Sequence, residues 1–344
     1  MKRIALVILN WNGAAMLQRF LPTVIARSGE AEVIVADNGS TDHSCAMLEK
    51  DFPGVRLVRL GRNYGFAEGY NRALAGLEHE FLLLLNSDVE PSEGWLRPLL
   101  DFMDARADVA AVMPKVLAAD DRTRFEHAGA AGGFIDALGY PYCRGRVFGC
   151  VERDKGQYDS PCDVFWTTGA AMMVRRADWT AAGGLDGRFF AHQEEIDLCW
   201  RLRSRGRRLA CVPASRVWHV GGGSLAYESP RKTFLNFRNN LLLLYKNLPE
   251  AELRRTLRRR RWLDALAALQ FLMKGQAANF LAVRRARRAF RKLRPDFAAR
   301  REENLRLACT DTTALRQPAS LLFDYYFRGR RTFMQLHAEK EQRC

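Results

Sequence analysis

Four polar clusters could carry chemistry. Asn86-Ser87-Asp88 directly follows the apolar run Phe81–Leu85. A carboxylate at the end of a buried strand is a hard oxygen ligand suited to Mg²⁺ or Mn²⁺, ions that often bridge protein carboxylates to phosphates. Its plainer reading is a turn residue ahead of Pro91. Asp37 ends a second apolar run, where it can meet a base or ribose edge or form an Asx-turn with Asn38-Gly39. Glu194, Glu195 and Asp197 lie within four residues, behind Phe189-Phe190. A helix-dipole effect and an Asp197–Arg201 pair account for Asp197. Two adjacent glutamates behind two aromatics predict a crowded carboxylate pair with one raised pKa, which suits a general base. His219 precedes Gly221–Gly223. A neutral imidazole there could join Asp88 on a metal or be structural, and the glycines allow close backbone approach or a mobile loop.

These residues need elements to hold them. Ile4–Leu9, Glu32–Ala36, Val55–Leu60, Phe81–Leu85 and Val109–Met113 read as strands. Ala14–Ala26, a helix capped by Ser40 or Thr41, Phe66–Leu77 and Trp95–Met103 read as helices between them. Strand, loop and helix repeated in this way predict an α/β fold, with a mostly parallel central sheet flanked by helices. Ligands bind such sheets beyond the C-terminal strand ends, where Asn10–Gly13, Asp37–Asp42, Asn63–Gly65 and Asn86–Asp88 all fall. Residues 120–165 are Gly-rich and predict short antiparallel strands. Phe165–Val174 reads as a strand, Glu194–Ser204 as a helix, and Arg208–Val212 as a strand leading to His219.

The motifs occur in a telling order: Val7-Ile8-Leu9-Asn10-Trp11-Asn12-Gly13, Val33–Ser44, Asn63-Tyr64-Gly65-Phe66-Ala67 with Gly69-Tyr70-Asn71, Leu84–Asp88, Thr168-Gly169-Ala170, Phe189–Arg201 and Trp218–Ser224. Over about residues 3–224 the chain resembles glycosyltransferase family 2, nucleotide-sugar transferases of GT-A fold. It looks closest to the rhamnosyltransferase-like branch of bacterial surface-polysaccharide assembly. The resemblance implies an inverting transferase that moves a sugar from a nucleoside-diphosphate donor, dTDP-rhamnose or a UDP-sugar, to a glycan or polyprenyl-linked acceptor. It implies that Asp37 contacts the base, and that Asn10, Asn12, Asn38, Arg62, Asn63 and Asn86 belong to the donor pocket. Asp88 matches the last Asp of the family's D-x-D metal motif, with Asn86 in place of the first. Glu195 matches the catalytic base, with Glu194 its rival. His219 matches a position that ligates Mg²⁺ or Mn²⁺ in some members.

Charge divides the chain. Residues 1–230, read as the catalytic domain, carry 27 basic and 29 acidic side chains, net −2. Residues 231–344 carry 27 basic and 10 acidic, net +17, and read as a helical extension. There the stripes Trp262, Leu266, Leu269, Met273 and Val283, Ala286, Phe290, Leu293 run among arginines. This pattern predicts amphipathic helices lying on an anionic membrane, or helices packed on the body. The expected location is cytoplasmic, peripheral on the inner membrane. With 48% hydrophobic residues the chain is not disordered. Eight cysteines without a C-x-x-C pair argue for free thiols in a reducing compartment and against structural zinc. No apolar run is long enough to span a bilayer, and the short N-terminal run predicts no secretory leader. No nucleic-acid-reading motif accompanies the basic tail, so no specific nucleic-acid partner is expected. The rivals are a nucleotidyltransferase, disfavoured by the absence of a basic residue from Asn10–Gly13, and a non-catalytic binding module.

Overall fold

The computed structural model describes residues 2–221 and 229–341. Its strands are β1 Ile4–Asn10, β2 Ala31–Asp37, β3 Arg56–Arg59, β4 Phe81–Leu85, β5 Val89–Pro91, β6 Val109–Ala118, β7 Gly133–Ile135, β8 Pro141–Cys143, β9 Arg146–Val147, β10 Cys150–Val151, β11 Cys162–Asp163, β12 Ala171–Arg175 and β13 Arg208–His219. The first helices are α1 Ala14–Arg27, α2 Ser44–Asp51, α3 Gly65–Leu74, α4 Leu96–Asp104, α5 Arg176–Ala182 and α6 Glu194–Ser204. Those that follow are α7 Pro230–Asn247, α8 Glu250–Met273, α9 Ala277–Leu293, α10 Ala298–Leu307, α11 Leu321–Tyr326 and α12 Phe333–Glu341.

The main sheet runs β11-β13-β6-β12-β4-β1-β2-β3, with β5 on β13. Strands β3, β2, β1 and β4 are parallel to one another. β1 and β4 are apolar nearly throughout because helices cover both faces of the sheet. Asn10 pairs with Asp37 and Ile8 with Leu85, so the loops after β1, β2 and β4 leave the sheet at one edge. Beyond β4 the sheet is mixed. β12 runs antiparallel between β4 and β6, with Ala171 opposite Leu85. Its preceding loop, Thr168–Ala170, is thereby delivered to that same edge. β13 continues past Val212, through a register shift before Arg216, and pairs His219 with Val89. That pairing sets His219 beside Asp88. The short antiparallel strands expected in residues 120–165 form a second sheet, β10-β9-β8-β7.

Helix α2 corrects one expectation. It starts at Ser44, whose N–H donates to the Asp42 carboxylate at 3.1 Å. Neither Ser40 nor Thr41 caps it, because the Ser40 hydroxyl accepts from the Asn12 N–H and the Asn10 amide instead.

The C-terminal helices divide the two apolar stripes between opposite fates. Leu241–Leu244 of α7 are fully buried in the main core, and Val283, Ala286 and Phe290 of α9 pack inward with them. This second stripe is therefore a packing surface. On α8 the buried face is Leu253, Thr256, Arg260, Asp264 and Ala268. Trp262, Leu266, Leu269 and Met273 face outward, at 73%, 63%, 48% and 74% exposure. The helix is inverted, with an Arg260–Asp264 pair inside and the apolar stripe outside. No helix among the described residues is long and apolar enough to cross a membrane.

Candidate active site

The loops after β1, β2 and β3 are tied to one another by amides. The Asn10 side chain donates to Asp37 at 3.3 Å and to Ser40 at 3.1 Å. Asn12 Oδ1 accepts from the Thr41 N–H at 2.7 Å. Asn38 donates to Asn63 at 3.3 Å and to the Gly65 carbonyl at 3.0 Å, and accepts from the Tyr64 N–H. Gly39, at φ +75°, lies so near the Arg62 backbone that a Cβ would fall 2.4 Å from its Cα. Only glycine allows that approach. The structure thus brings Asn10, Asn12, Asp37, Asn38, Arg62 and Asn63 together. Asn12, Asn38 and Asn63 shape the loops with their side-chain oxygens, and the Asn10 Oδ1 is buried without a partner. Arg62 is exposed and lies over the Tyr64 ring at 4.6 Å.

At the next strand ends, His219 sits between two carboxylates. Its Nε2 lies 3.1 Å from Asp88 Oδ1, and its Nδ1 lies 3.2 Å from Glu126 Oε2. The Asn86 amide is 3.3 Å from the same Nε2. Asp88, Glu126 and His219 are all buried. Burial opposes the imidazolium, but Asp88 and Glu126 outweigh it and push His219 up to about 10. The donor set suits a divalent cation in a specific way. A carboxylate oxygen and, once a cation displaces its proton, an imidazole nitrogen converge, while the Glu126 carboxylate lies beside the other ring nitrogen, the usual support for a metal-bound histidine. Among the described residues no group of three His, Cys, Asp or Glu is arranged to hold an ion alone. The remaining ligands would be water and substrate oxygens, as is common for Mg²⁺. Gly221 has φ +71°, whereas Gly222, Gly223 and Ser224 lie outside the described residues.

The third group begins at a strained turn. Phe190, His192 and Gln193 have φ of 68°, 70° and 74°. Each such residue costs roughly 1–2 kcal/mol. One buried side chain holds the turn. The Asn239 amide donates to the carbonyls of Phe189, Ala191 and His192 at 3.0, 2.8 and 2.7 Å. Its neighbour Asn240 donates to Gln193 Oε1 at 3.1 Å and to the Gly139 carbonyl at 2.6 Å. The Phe190 carbonyl accepts from the Phe66 N–H at 2.7 Å, docking the turn on α3.

Out of this turn come the glutamates that open α6. Glu194 is buried, and burial plus the neighbouring Glu195 charge holds its carboxyl well above the usual range. Glu195 is only partly buried. Burial pushes it up to about 7 against the backbone N–H groups of the helix start. Its Oε2 has no protein partner. A Cβ placed on Gly169 would lie 3.8 Å from the Glu195 Cβ, and the Ala170 carbonyl accepts from the Asn86 N–H at 3.0 Å. The Thr168–Ala170 loop therefore links the glutamate to the Asp88 edge.

Asp197, read with the glutamates as a catalytic candidate, has a structural position instead. It is fully buried and bonded to Arg201 at 3.0 Å, Lys246 at 2.7 Å and Asn247 at 2.9 Å. A carboxylate held by two cations is a poor proton acceptor. Glu126, Asn239, Asn240 and Lys246 were not singled out in the sequence. For the asparagines a signal existed, since two adjacent amides directly precede the apolar run Leu241–Leu244 within one helix. Glu126 lies in an irregular segment that offers no such signal.

Residues 5–149 match the Glycosyl transferase family 2 profile. Over that stretch, somewhat under half of its length, the chain is similar to glycosyltransferase family 2. Among curated relatives, the N-acetylglucosaminyl-diphospho-decaprenol L-rhamnosyltransferase of Mycobacterium tuberculosis is 28% identical over 232 residues, covering 63% of this chain and 75% of the relative. The pre-mycofactocin glycosyltransferase of that organism is 28% identical over 67% of this chain, which spans 45% of that protein. The chain thus resembles rhamnosyltransferases of family 2. S. aureus TarS 1–349 in complex with UDP-GlcNAc superposes with a TM-score of 0.55 at 19% identity, over 88% of this chain and 89% of that one. GalNAc-T7 with UDP, GalNAc and Mn²⁺ also gives 0.55, at 18% identity, over 72% of this chain and 48% of that one. The fold is GT-A, with a central sheet flanked by helices and followed by C-terminal helices.

Proposed function

We infer that this glycosyltransferase inverts the anomeric centre of a sugar as it moves it from a nucleoside diphosphate to an acceptor hydroxyl, with Glu195 as the base. One observation carries the reading. The partly buried carboxylate of Glu195 titrates near neutrality, keeps an oxygen without a protein partner, and is linked through Gly169 and Ala170 to the Asp88–His219 edge. Such a carboxylate can take the proton of an acceptor hydroxyl while that oxygen attacks the anomeric carbon. The bond from that carbon to the diphosphate oxygen breaks on the opposite face, so one displacement inverts the centre. Glu194, buried and with its carboxyl held well above the usual range, borders the base. Asp37 and the amide-tied loops are assigned to the nucleoside. Asp88 and His219 would hold Mg²⁺ or Mn²⁺, which when bound neutralises charge on the departing diphosphate.

The name of the L-rhamnosyltransferase relative fits an activated rhamnose, such as dTDP-rhamnose, as donor and a lipid-linked glycan as acceptor, with a UDP-sugar as the other donor in this reading. Residues 1–230 form the catalytic body in this reading, and residues 231–344 a basic region that meets the membrane. The outward stripe of α8, flanked by exposed Arg255, Arg258, Arg259 and Arg261, supports a peripheral position on the inner face of the cytoplasmic membrane. The deciding experiment measures nucleotide release from UDP-, GDP- and dTDP-sugars with a lipid-diphosphate acceptor. Acceptor-dependent release that Glu195→Gln abolishes supports the reading. Release unaffected by that substitution would overturn the assignment of the base.

A further inference from the structure

A cleft of about 340 Å³ opens where the C-terminal segment crosses the small sheet. It lies toward the small end of the range for ligand pockets. Four rings gather on one side. Phe333 lies 4.9 Å from Phe134 and 4.2 Å from His337, and Tyr142 stacks on His337 at 6.1 Å. On the other side are Arg316 and Gln317, both more than nine-tenths buried. Arg316 Nη2 is bonded to Glu252 at 2.8 Å, but its Nε and Nη1 have no partner. Gln317 donates its amide to the Leu336 carbonyl at 3.5 Å, and its Oε1 has no partner. Two donor nitrogens and one acceptor oxygen are therefore buried and unpaired beside an apolar wall. Buried groups left unpaired lose their water without recompense, and a ligand with matching groups would relieve that cost.

Since Glu252 already neutralises Arg316, the cleft does not call for an anion. It calls for a neutral ligand with an apolar face and a polar edge that both accepts and donates. A pyranose ring has that form, with C–H groups on one face and hydroxyls around its rim. The cleft is also mechanically joined to the candidate active site. The β7–β8 hairpin carries Phe134 and Tyr142, and its turn carbonyl at Gly139 accepts from Asn240, which also bonds Gln193 two residues before Glu195. We propose that this cleft is a saccharide subsite for the acceptor glycan, with one ring lying on Phe134 and Phe333, its hydroxyls accepting from Arg316 and donating to Gln317.

The proposal rests on the chain being a glycan-modifying transferase, yet its test does not need turnover. Saturation-transfer difference NMR on the full chain without donor would use methyl α-L-rhamnoside, N,N′-diacetylchitobiose and maltotriose, with UMP as a planar-ring probe. At least one saccharide should show saturation of its ring C–H protons. Phe333→Ala and the near-isosteric Gln317→Glu, which sets a carboxylate against the Leu336 carbonyl and charges the polar edge, should weaken that binding at least about tenfold while thermal melts show a folded chain. Binding should persist in Glu195→Gln. Signal from UMP alone, no signal from any saccharide, or unchanged binding in both cleft variants overturns the proposal. Saccharide binding without any nucleotide release would instead sink the transferase reading and leave the subsite standing.

Discussion

Glu195→Gln should stabilise the protein in neutral solution even as it abolishes transfer. The ordinary Glu pKa is 4.5, and burial pushes Glu195 up to about 7. Between those values the folded state binds more protons at this site than the unfolded state, so stability contributed by the protonated carboxyl is full below pH 4.5 and is lost as pH rises through 7. Integrating the linkage from pH 5 to pH 8 gives a loss of about 2.5 kcal/mol. Partial exposure screens the carboxyl, so we take about 1–2.5 kcal/mol. Glutamine has the same size and does not titrate, so the comparison removes the Glu195 charge together with its push on Glu194. With roughly 2.1 cal/mol/K of unfolding entropy per residue over 344 residues, 1 kcal/mol shifts Tm by roughly 1.4 °C. The Tm advantage of Glu195→Gln over wild type should therefore be about 1.5–3.5 °C larger at pH 8 than at pH 5. Melts followed by circular dichroism at the two pH values measure it directly. An equal advantage at both, or a larger one at pH 5, would mean that the carboxyl is already ionised in the fold at pH 5, and the argument from burial would fail. The same titration predicts that kcat rises with pH through about 7, because the base must be unprotonated.

Three further perturbations test separate parts of the site. Asn239→Ala removes the amide that holds the carbonyls of Phe189, Ala191 and His192. It should lower kcat by about 10²-fold with little change in donor KM, and speed hydrogen exchange across residues 189–194. Normal kcat would show that the turn keeps its shape unaided. Asp197→Ala strands Lys246 and Arg201 without their shared carboxylate, and should cost about 3–5 kcal/mol in urea unfolding. A loss of activity with unchanged stability would restore Asp197 as a catalytic candidate. Trp262→Asp with Leu266→Asp should abolish flotation with anionic liposomes while nucleotide release with a soluble acceptor is unchanged; flotation retained by the double variant would remove α8 as the membrane face.

The strand edge that gathers the polar loops was legible because parallel strands buried on both faces must be continuous apolar runs. A polar residue ending such a run marks the ligand side, and Asp37 and Asp88 both follow that rule. The glutamate pair was legible as two charges behind two aromatics, whereas the buried ion-pair position of Asp197 beside it was not. Its partners Lys246 and Asn247 lie 49 and 50 residues further on, in a helix whose periodicity says nothing of where those side chains end. Glu126 was hidden for a related reason. It is placed by its N–H donating to the Val116 carbonyl at the end of β6, from a segment with no period of its own.

Helix α8 shows what periodicity cannot decide. Two stripes spaced by three or four residues coexist on it, one of Trp262, Leu266, Leu269 and Met273, the other containing Arg260 and Asp264. Hydrophobicity alone would turn the first inward. The structure turns it outward because Arg260 has fixed partners inside, the Leu138 carbonyl at 2.9 Å and the Asn240 side chain, while Asp264 receives Arg287 at 2.5 Å from α9. Rotating the helix would turn Arg260 and Asp264 to solvent and take their bonds from the buried Leu138 carbonyl and Asn240 side chain, at roughly 1–3 kcal/mol for each polar group left unpaired. Burying the exposed stripe would return about 1.5–3 kcal/mol for each large side chain fully covered. The polar partners also join α8 to Asn240, and Asn240 to the turn before Glu195. The outward apolar face and the geometry of the base therefore depend on one buried network, so a change that frees Arg260 should disturb both together.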